Sequence, residues 1–348
     1  MTAIDQALTM LSDCGPEFAF GLSNHGPMAA EALCALGRDE AVEDWVARYR
    51  KRLLDRPRNV ARIAPESWVD ALGELQRVSD WEDFFAVELD VMPWAEVLEK
   101  WVPRLAPGMM SGATHGLIRT AHAVRSLAAE ENASRRAELV AGLAYWAARY
   151  QMLPGIPGHA EPRRPSEGIA AVPIMPVELR SRRAPSISEA VRELDRFPPF
   201  AAVVNLAAPG EDLSAFISDL TATMAVRYLE NAGSASIAYV HTVTAPSALR
   251  MIAAHLTPET GRLGARYAWQ AAAAIHSRSH HAHPVELPAE LPSPEDLIDR
   301  AVFSGDEHAI KFTEACLREY ALNPDPAFLV APLDMCGRYG RKIRDVVN

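Results

Sequence analysis

Eleven histidines are spread along the chain, and four of them stand where an imidazole needs a partner. His25 lies in Ser23-Asn24-His25-Gly26-Pro27-Met28, directly before an Ala/Glu/Leu run opened by Pro27. Asn24 or His25 is placed to cap that helix; in the sharper reading His25 is a ligand on a turn stiffened by Pro27, with Gly26 letting the backbone approach closely. His115 begins Gly112-Ala113-Thr114-His115-Gly116-Leu117-Ile118-Arg119, and His122 follows two helical turns along the same stripe. Such a pair binds a metal or forms a hydrogen-bonded core pair. Arg119, one turn beyond His115, is a candidate anchor for an anionic or phenolic oxygen. His241 stands among Ile237, Val240 and Val243, where burying the ring demands a ligand, a hydrogen-bond partner or water. Thr242 and Thr244 ahead of Pro246 predict a bend in that helix.

The last constellation is Ser304-Gly305-Asp306-Glu307-His308-Ala309-Ile310-Lys311. His308 and Lys311, three apart, share a helical face. The plain reading is an exposed first turn with Asp306 and Glu307 at the favourable N-terminal end. The alternative turns Lys311 inward beside a metal, where desolvation and the cation favour the neutral amine. A neutral lysine takes up carbon dioxide to give a carbamate, an oxygen ligand. The other histidines offer less. His255 sits at a helix end before Thr257-Pro258, His276 ends an Ala-rich helix, and His159, His280, His281 and His283 fall in Pro-rich connections where solvation is expected.

Positioning these groups falls to helices. Apolar residues recur at three and four over Pro27–Leu36, Arg38–Leu54, Ser67–Leu75, Asp80–Leu89, Pro93–Val102, Thr114–Ala129, Ser134–Tyr150, Leu213–Asn231, Ser234–His255, Leu263–Ser277 and Ser304–Leu322. Ala201–Leu206 fits one short strand or a buried helical turn. The expected fold is all-α, a single helical globular unit over residues 1–348 with at most one or two short strands. Two connections interrupt the pattern: a Pro-rich excursion from about 154 to 185, carrying Arg163, Arg164, Arg180, Arg182 and Arg183, and the segment His280–Pro294.

Composition narrows the chemistry further. The 348 residues are 49% hydrophobic with a net charge of −10, enough apolar material for a core without staples and the wrong sign for a phosphate-binding surface, so nucleic acid is excluded as a partner. Cys14, Cys34, Cys316 and Cys336 have no ribbon spacing and read as reduced thiols. No run of eighteen apolar residues and no leader-like N-terminus is present, which predicts a cytoplasmic chain without a membrane partner; a homodimer is an assembly the sequence allows. Phosphate-loop, dinucleotide and nucleophile-elbow fingerprints are all missing.

Four motifs in order, Asn24-His25-Gly26-Pro27-Met28, His115-Gly116-Leu117-Ile118-Arg119, His241-Thr242-Val243-Thr244-Ala245-Pro246 and Asp306-Glu307-His308-Ala309-Ile310-Lys311, together resemble the questin oxidase-like family from about Phe18 to Tyr320. The resemblance implies a mostly helical oxygenase that uses dioxygen to cleave a carbon–carbon bond in, or otherwise oxidise, an aromatic polyketide of the anthraquinone kind. It also implies a mononuclear non-haem iron held by His25, His115, His241, His308 and a carbamylated Lys311, with His122 as the substitute ligand. Baeyer–Villiger-type members draw on NADPH as an external reductant. Arg119 and Arg250 are then candidates for stabilising the substrate's developing negative charge, and ligands from both halves make the 154–185 excursion internal to one folded unit. Two other functions use the same residues: a non-catalytic helical protein binding a small hydrophobic ligand, and a zinc-dependent hydrolase or isomerase.

Overall fold

The computed structural model describes residues 1–344 apart from positions 20, 182, 284 and 286; Arg182 of the excursion thus lies outside the described residues. Helix dominates. Chain order runs α1 (Ala3–Leu11), β1 (Glu17–Phe18), β2 (Leu22–Ser23), α2 (Gly26–Ala35), α3 (Asp39–Arg50), α4 (Val78–Val91), α5 (Trp94–Leu105), α6 (His115–Ala129) and α7 (Ala133–Ala148). After the excursion come α8 (Pro165–Gly168), α9 (Ile187–Arg192), α10 (Leu213–Ala253), α11 (Pro258–Ser279), α12 (Pro294–Ser304), α13 (Glu307–Leu322) and α14 (Ala327–Arg344). The two-residue strands β1 and β2 pair antiparallel, Glu17 opposite Ser23. An all-α architecture with a minimal strand pair is what the helical periodicity leads one to expect.

Local departures have local causes. The expected helix over Ser67–Leu75 is two 3-10 turns, Trp68–Ala71 and Leu75–Arg77, split at Gly73, whose φ of +77° an α-helix cannot hold. Of Ala201–Leu206, all but Leu206 belong to the 3-10 helix Pro198–Asn205, so the helical-turn alternative is the one adopted. The stretches expected as Leu213–Asn231 and Ser234–His255 join in α10, whose backbone leaves helical geometry at Ala235 (φ −145°, ψ 32°) and continues through Pro246. Thr242 and Thr244 return their hydroxyls to the carbonyls of Tyr239 and Val240.

A main core joins α4–α7, α10, α11, α13 and α14, with Trp81, Trp101, Trp146, Trp269, Phe312 and Phe328 fully enclosed. A smaller one beneath α1–α3 holds Leu8, Leu33, Trp45 and Val46 and reaches Ile310 of α13. The Pro-rich excursion is tied back along its length: Gln270 donates to the carbonyls of Pro154 and Gly155, Arg163 pairs with Ala208, and the Met175 amide donates to Ser277. Among the described residues no helix is long and apolar enough to cross a membrane.

Candidate metal centre

His25, His115, His241 and His308 come from four different elements and meet. The His25 ring lies 4.5 Å from those of both His115 and His308, His115 is 4.8 Å from His241, and His241 is 6.0 Å from His308, centroid to centroid. His25, His115 and His241 are buried, and His308 is half-buried at the floor of a cavity of about 350 Å³ that all four line.

Each ring is aimed by a specific local device. His25 is the residue before α2, but its side chain makes no capping bond. Asn24 takes that task by accepting from the Gly26 amide at 2.9 Å, while the His25 amide donates to the Tyr49 hydroxyl at 2.7 Å, leaving the ring free to point inward. Ahead of His115, Gly112, Ala113 and Thr114 all adopt positive φ, 51°, 58° and 73°. Two of the three bear side chains, and strain of this kind persists only where the surroundings enforce it. A Cβ on Gly112 would lie 2.6 Å from the Tyr145 hydroxyl, and one on Gly116 only 2.7 Å from the Trp146 Cα, so close α6–α7 packing fixes the start of α6. His308 follows the junction of α12 and α13, where Gly305 (φ 64°) ends one helix and Asp306 caps the next by accepting from the His308 and Ala309 amides.

Tautomers follow from the hydrogen bonds. His115 Nδ1 lies 2.6 Å from the Gly112 carbonyl and His241 Nδ1 2.7 Å from that of Ile237; each must donate, because a carbonyl only accepts. Burial holds both rings neutral, pushing His241 down to about 3 and His115 well below the ordinary imidazole value, with the nearby Lys311 and the other imidazoles adding to it. Both Nε2 atoms are therefore bare lone pairs, and they face each other at 3.4 Å. Two acceptors so placed have nothing to share but a cation or a proton. His25, also held well below its usual value by burial and then by Lys311, has a buried Nδ1 with no hydrogen-bond partner among the described residues. Orphaned imidazole nitrogens around one point are the donor set that a divalent transition metal fits.

Lys311 is buried at 4% exposure, not on an exposed first turn. Among the described residues its Nζ finds only the Met28 sulfur, at 4.0 Å. Burial pulls its pKa down to about 7, against the opposing pull of Glu307 and Asp306, so a large share of the amine is neutral near pH 7.

The remaining sequence candidates go elsewhere. His122 Nδ1 lies 2.6 Å from Glu31, within a buried network with Arg125 and Glu314. Arg119 is gripped at both ends by Glu138, at 2.6 and 2.8 Å, and Arg250 binds Glu319, Ser214 and Ser218; neither arginine lines the cavity. His255 stacks edge-on against Trp94, His276 is buried within hydrogen-bond distance of the Tyr239 hydroxyl, and His159 is exposed. The arginines that do reach the cavity, Arg149 (held by Glu17) and Arg192 (paired with Glu189), were not singled out by sequence, nor was Glu307 as anything beyond a helix-end charge. Glu307 does stand inside a motif, next to His308, whereas nothing local marks Arg149.

A search of curated proteins finds no match to the chain. The family model described as Questin oxidase-like, by contrast, matches residues 22–316, a span that takes in all four converging histidines and Lys311. With most of its length matched in this way, the chain belongs to the questin oxidase-like family.

Proposed function

We propose that this oxidase-like protein is a dioxygen-dependent oxygenase in which His25, His115, His241, His308 and Lys311 hold a mononuclear non-haem iron, and that its substrate is an electron-rich aromatic polyketide of the anthraquinone kind, cleaved at a carbon–carbon bond or otherwise oxidised. The observation that carries this reading is the pair of proton-free Nε2 atoms of His115 and His241 facing each other at 3.4 Å, beside the unpartnered Nδ1 of His25. Iron(II), when bound, supplies the dioxygen activation that no side chain in the cavity can provide.

The residues divide the rest of the task. The Gly112 and Ile237 carbonyls lock the His115 and His241 tautomers, the outer-shell arrangement that orients imidazole ligands. Lys311, partly neutral at physiological pH, is suited to take up carbon dioxide and so present an anionic oxygen. Phe18, Leu22, Tyr150, Ile187 and Ile237 give the cavity apolar walls for a flat ring system, and Ser23, Gln151, Ser186 and Ser188 give it polar edges for ring oxygens. Its volume of about 350 Å³ falls in the usual range for small-molecule sites. Where a single oxygen atom is inserted, NADPH serves as external reductant, since the chain has no dinucleotide fingerprint of its own.

The test is metal analysis of the purified protein, followed by nitric oxide addition to the ferrous form and oxygen uptake with a panel of hydroxyanthraquinones. Near-stoichiometric iron, a high-spin iron–nitrosyl resonance and substrate-dependent uptake are expected. Protein that takes up no iron overturns the proposal; tight zinc binding with no oxygen uptake replaces it with the hydrolase reading.

A further inference from the structure

We propose that Glu307 is itself a ligand of the ion, supplying the carboxylate oxygen when Lys311 carries no carbon dioxide; this rests on the metal-centre reading above. His25, His308 and Glu307 each present a ligand atom, all within 4.8 Å of one another. Glu307 is 8% exposed and lines the cavity beside both histidines, while Lys311 is not among the cavity-lining residues.

Glu307 is also held as a ligand should be. Its Oε1 accepts from Arg52 at 2.6 Å, and Oε2 makes no hydrogen bond among the described residues. The Arg52 guanidinium lies 4.4 Å from the centre of the Tyr49 ring and 4.8 Å from that of Phe18. Tyr49 is the residue whose hydroxyl accepts the His25 amide. One rigid frame therefore aims both the carboxylate and His25, and Asp306, the neighbour of Glu307, caps the helix that carries His308.

The Glu307 carboxylate only accepts, and the buried Nδ1 of His25 has no hydrogen-bond partner among the described residues, so drawing the two groups together carries a desolvation cost that a shared cation offsets. A divalent cation turns the same arrangement into two imidazoles and a carboxylate on one face, a set that suits iron and leaves positions open for further ligands.

Cobalt(II) titration of the metal-stripped protein in carbon dioxide-free buffer tests this, read by visible absorption and by infrared difference spectra in the carboxylate region. Wild type should bind with a shift of a carboxylate band. Glu307→Gln should weaken binding by about 100-fold or more and alter the cobalt spectrum, beyond the roughly 10–100-fold expected for the outer-shell variant Arg52→Met; Glu307→Asp should recover part of the loss. Unchanged affinity and spectrum in Glu307→Gln would overturn the inference, the Arg52–Glu307 pair then being structural only. If that variant does not fold, absence of any carboxylate band shift in wild type overturns it equally. Wild type that binds no cobalt sinks the metal reading itself, a separate result.

Discussion

Acid should destabilise the metal-free protein through His241 in a quantity that can be worked out. In the unfolded chain an imidazole titrates near 6.5; in the fold, burial pushes His241 down to about 3. Between those values the unfolded state binds a proton that the native state refuses, so stability falls as pH falls, starting near 6.5 and levelling off near 3. At pH 5 the unfolded state gains about 2 kcal/mol from this one group, against about 0.2 kcal/mol at pH 7, as RT ln(1 + 10^(6.5 − pH)) gives. Only the unfolded value enters that figure as long as the native pKa lies below 5. The assay is urea unfolding of chelator-treated wild type and His241→Gln at pH 7 and pH 5. Wild type should lose about 2 kcal/mol more than the variant over this interval. Equal losses would mean that native His241 takes up a proton in this range, and the lone-pair argument for the metal centre would fail with it.

Three other outcomes can be checked by similar means. Gly116→Ala places a methyl 2.7 Å from the Trp146 Cα, so α6 must shift; a loss of about 1–3 kcal/mol in chemical denaturation is expected, with weaker metal uptake, and a variant as stable as wild type would refute the packing argument. Arg250→Met removes the nearer of two guanidinium groups from Glu319, which is fully buried and keeps Arg318 at 3.6 Å, and should cost about 1–3 kcal/mol while leaving metal affinity unchanged; a fall in turnover without loss of stability would restore Arg250 to the site. Iron(II) at 100 times its dissociation constant should stabilise the anaerobic protein by about 2.7 kcal/mol, seen as a rise in Tm that chelator reverses, and a Tm indifferent to both contradicts the centre.

Much of the architecture could be read from periodicity, because α6, α7 and α11 are long and amphipathic and bounded by recognisable stops. The misses are short or atypical. The α1 helix depends on a Thr2–Asp5 capping box too near the N-terminus to stand out, α14 carries Pro332 in its interior, and the split near residue 73 turns on one positive φ. At the site, the four histidines and Lys311 could be named because their motifs occur in order, and the structure brings them into one cluster. Arg119 and Arg250 were misplaced for an instructive reason: spacing tells that a guanidinium lies one turn from a histidine, but not that Glu138 or Glu319, distant in sequence, already occupies it. Tyr49 and Arg52 escaped notice because their importance is purely tertiary.

Two parts of the cavity wall contrast. Its histidines stand on the start of α2, on α6, α10 and α13, set in or beside the tightly packed interior, whereas Pro185, Ser186, Ile187, Ser188, Glu189 and Arg192 come from the far end of the proline-rich loop and the short helix after it. A replacement at Ile187 or Ser188 can reshape what the chamber admits without disturbing a single imidazole. The molecule thus separates the side chains that hold an ion from those that shape the chamber's outer rim, so the two can be altered independently.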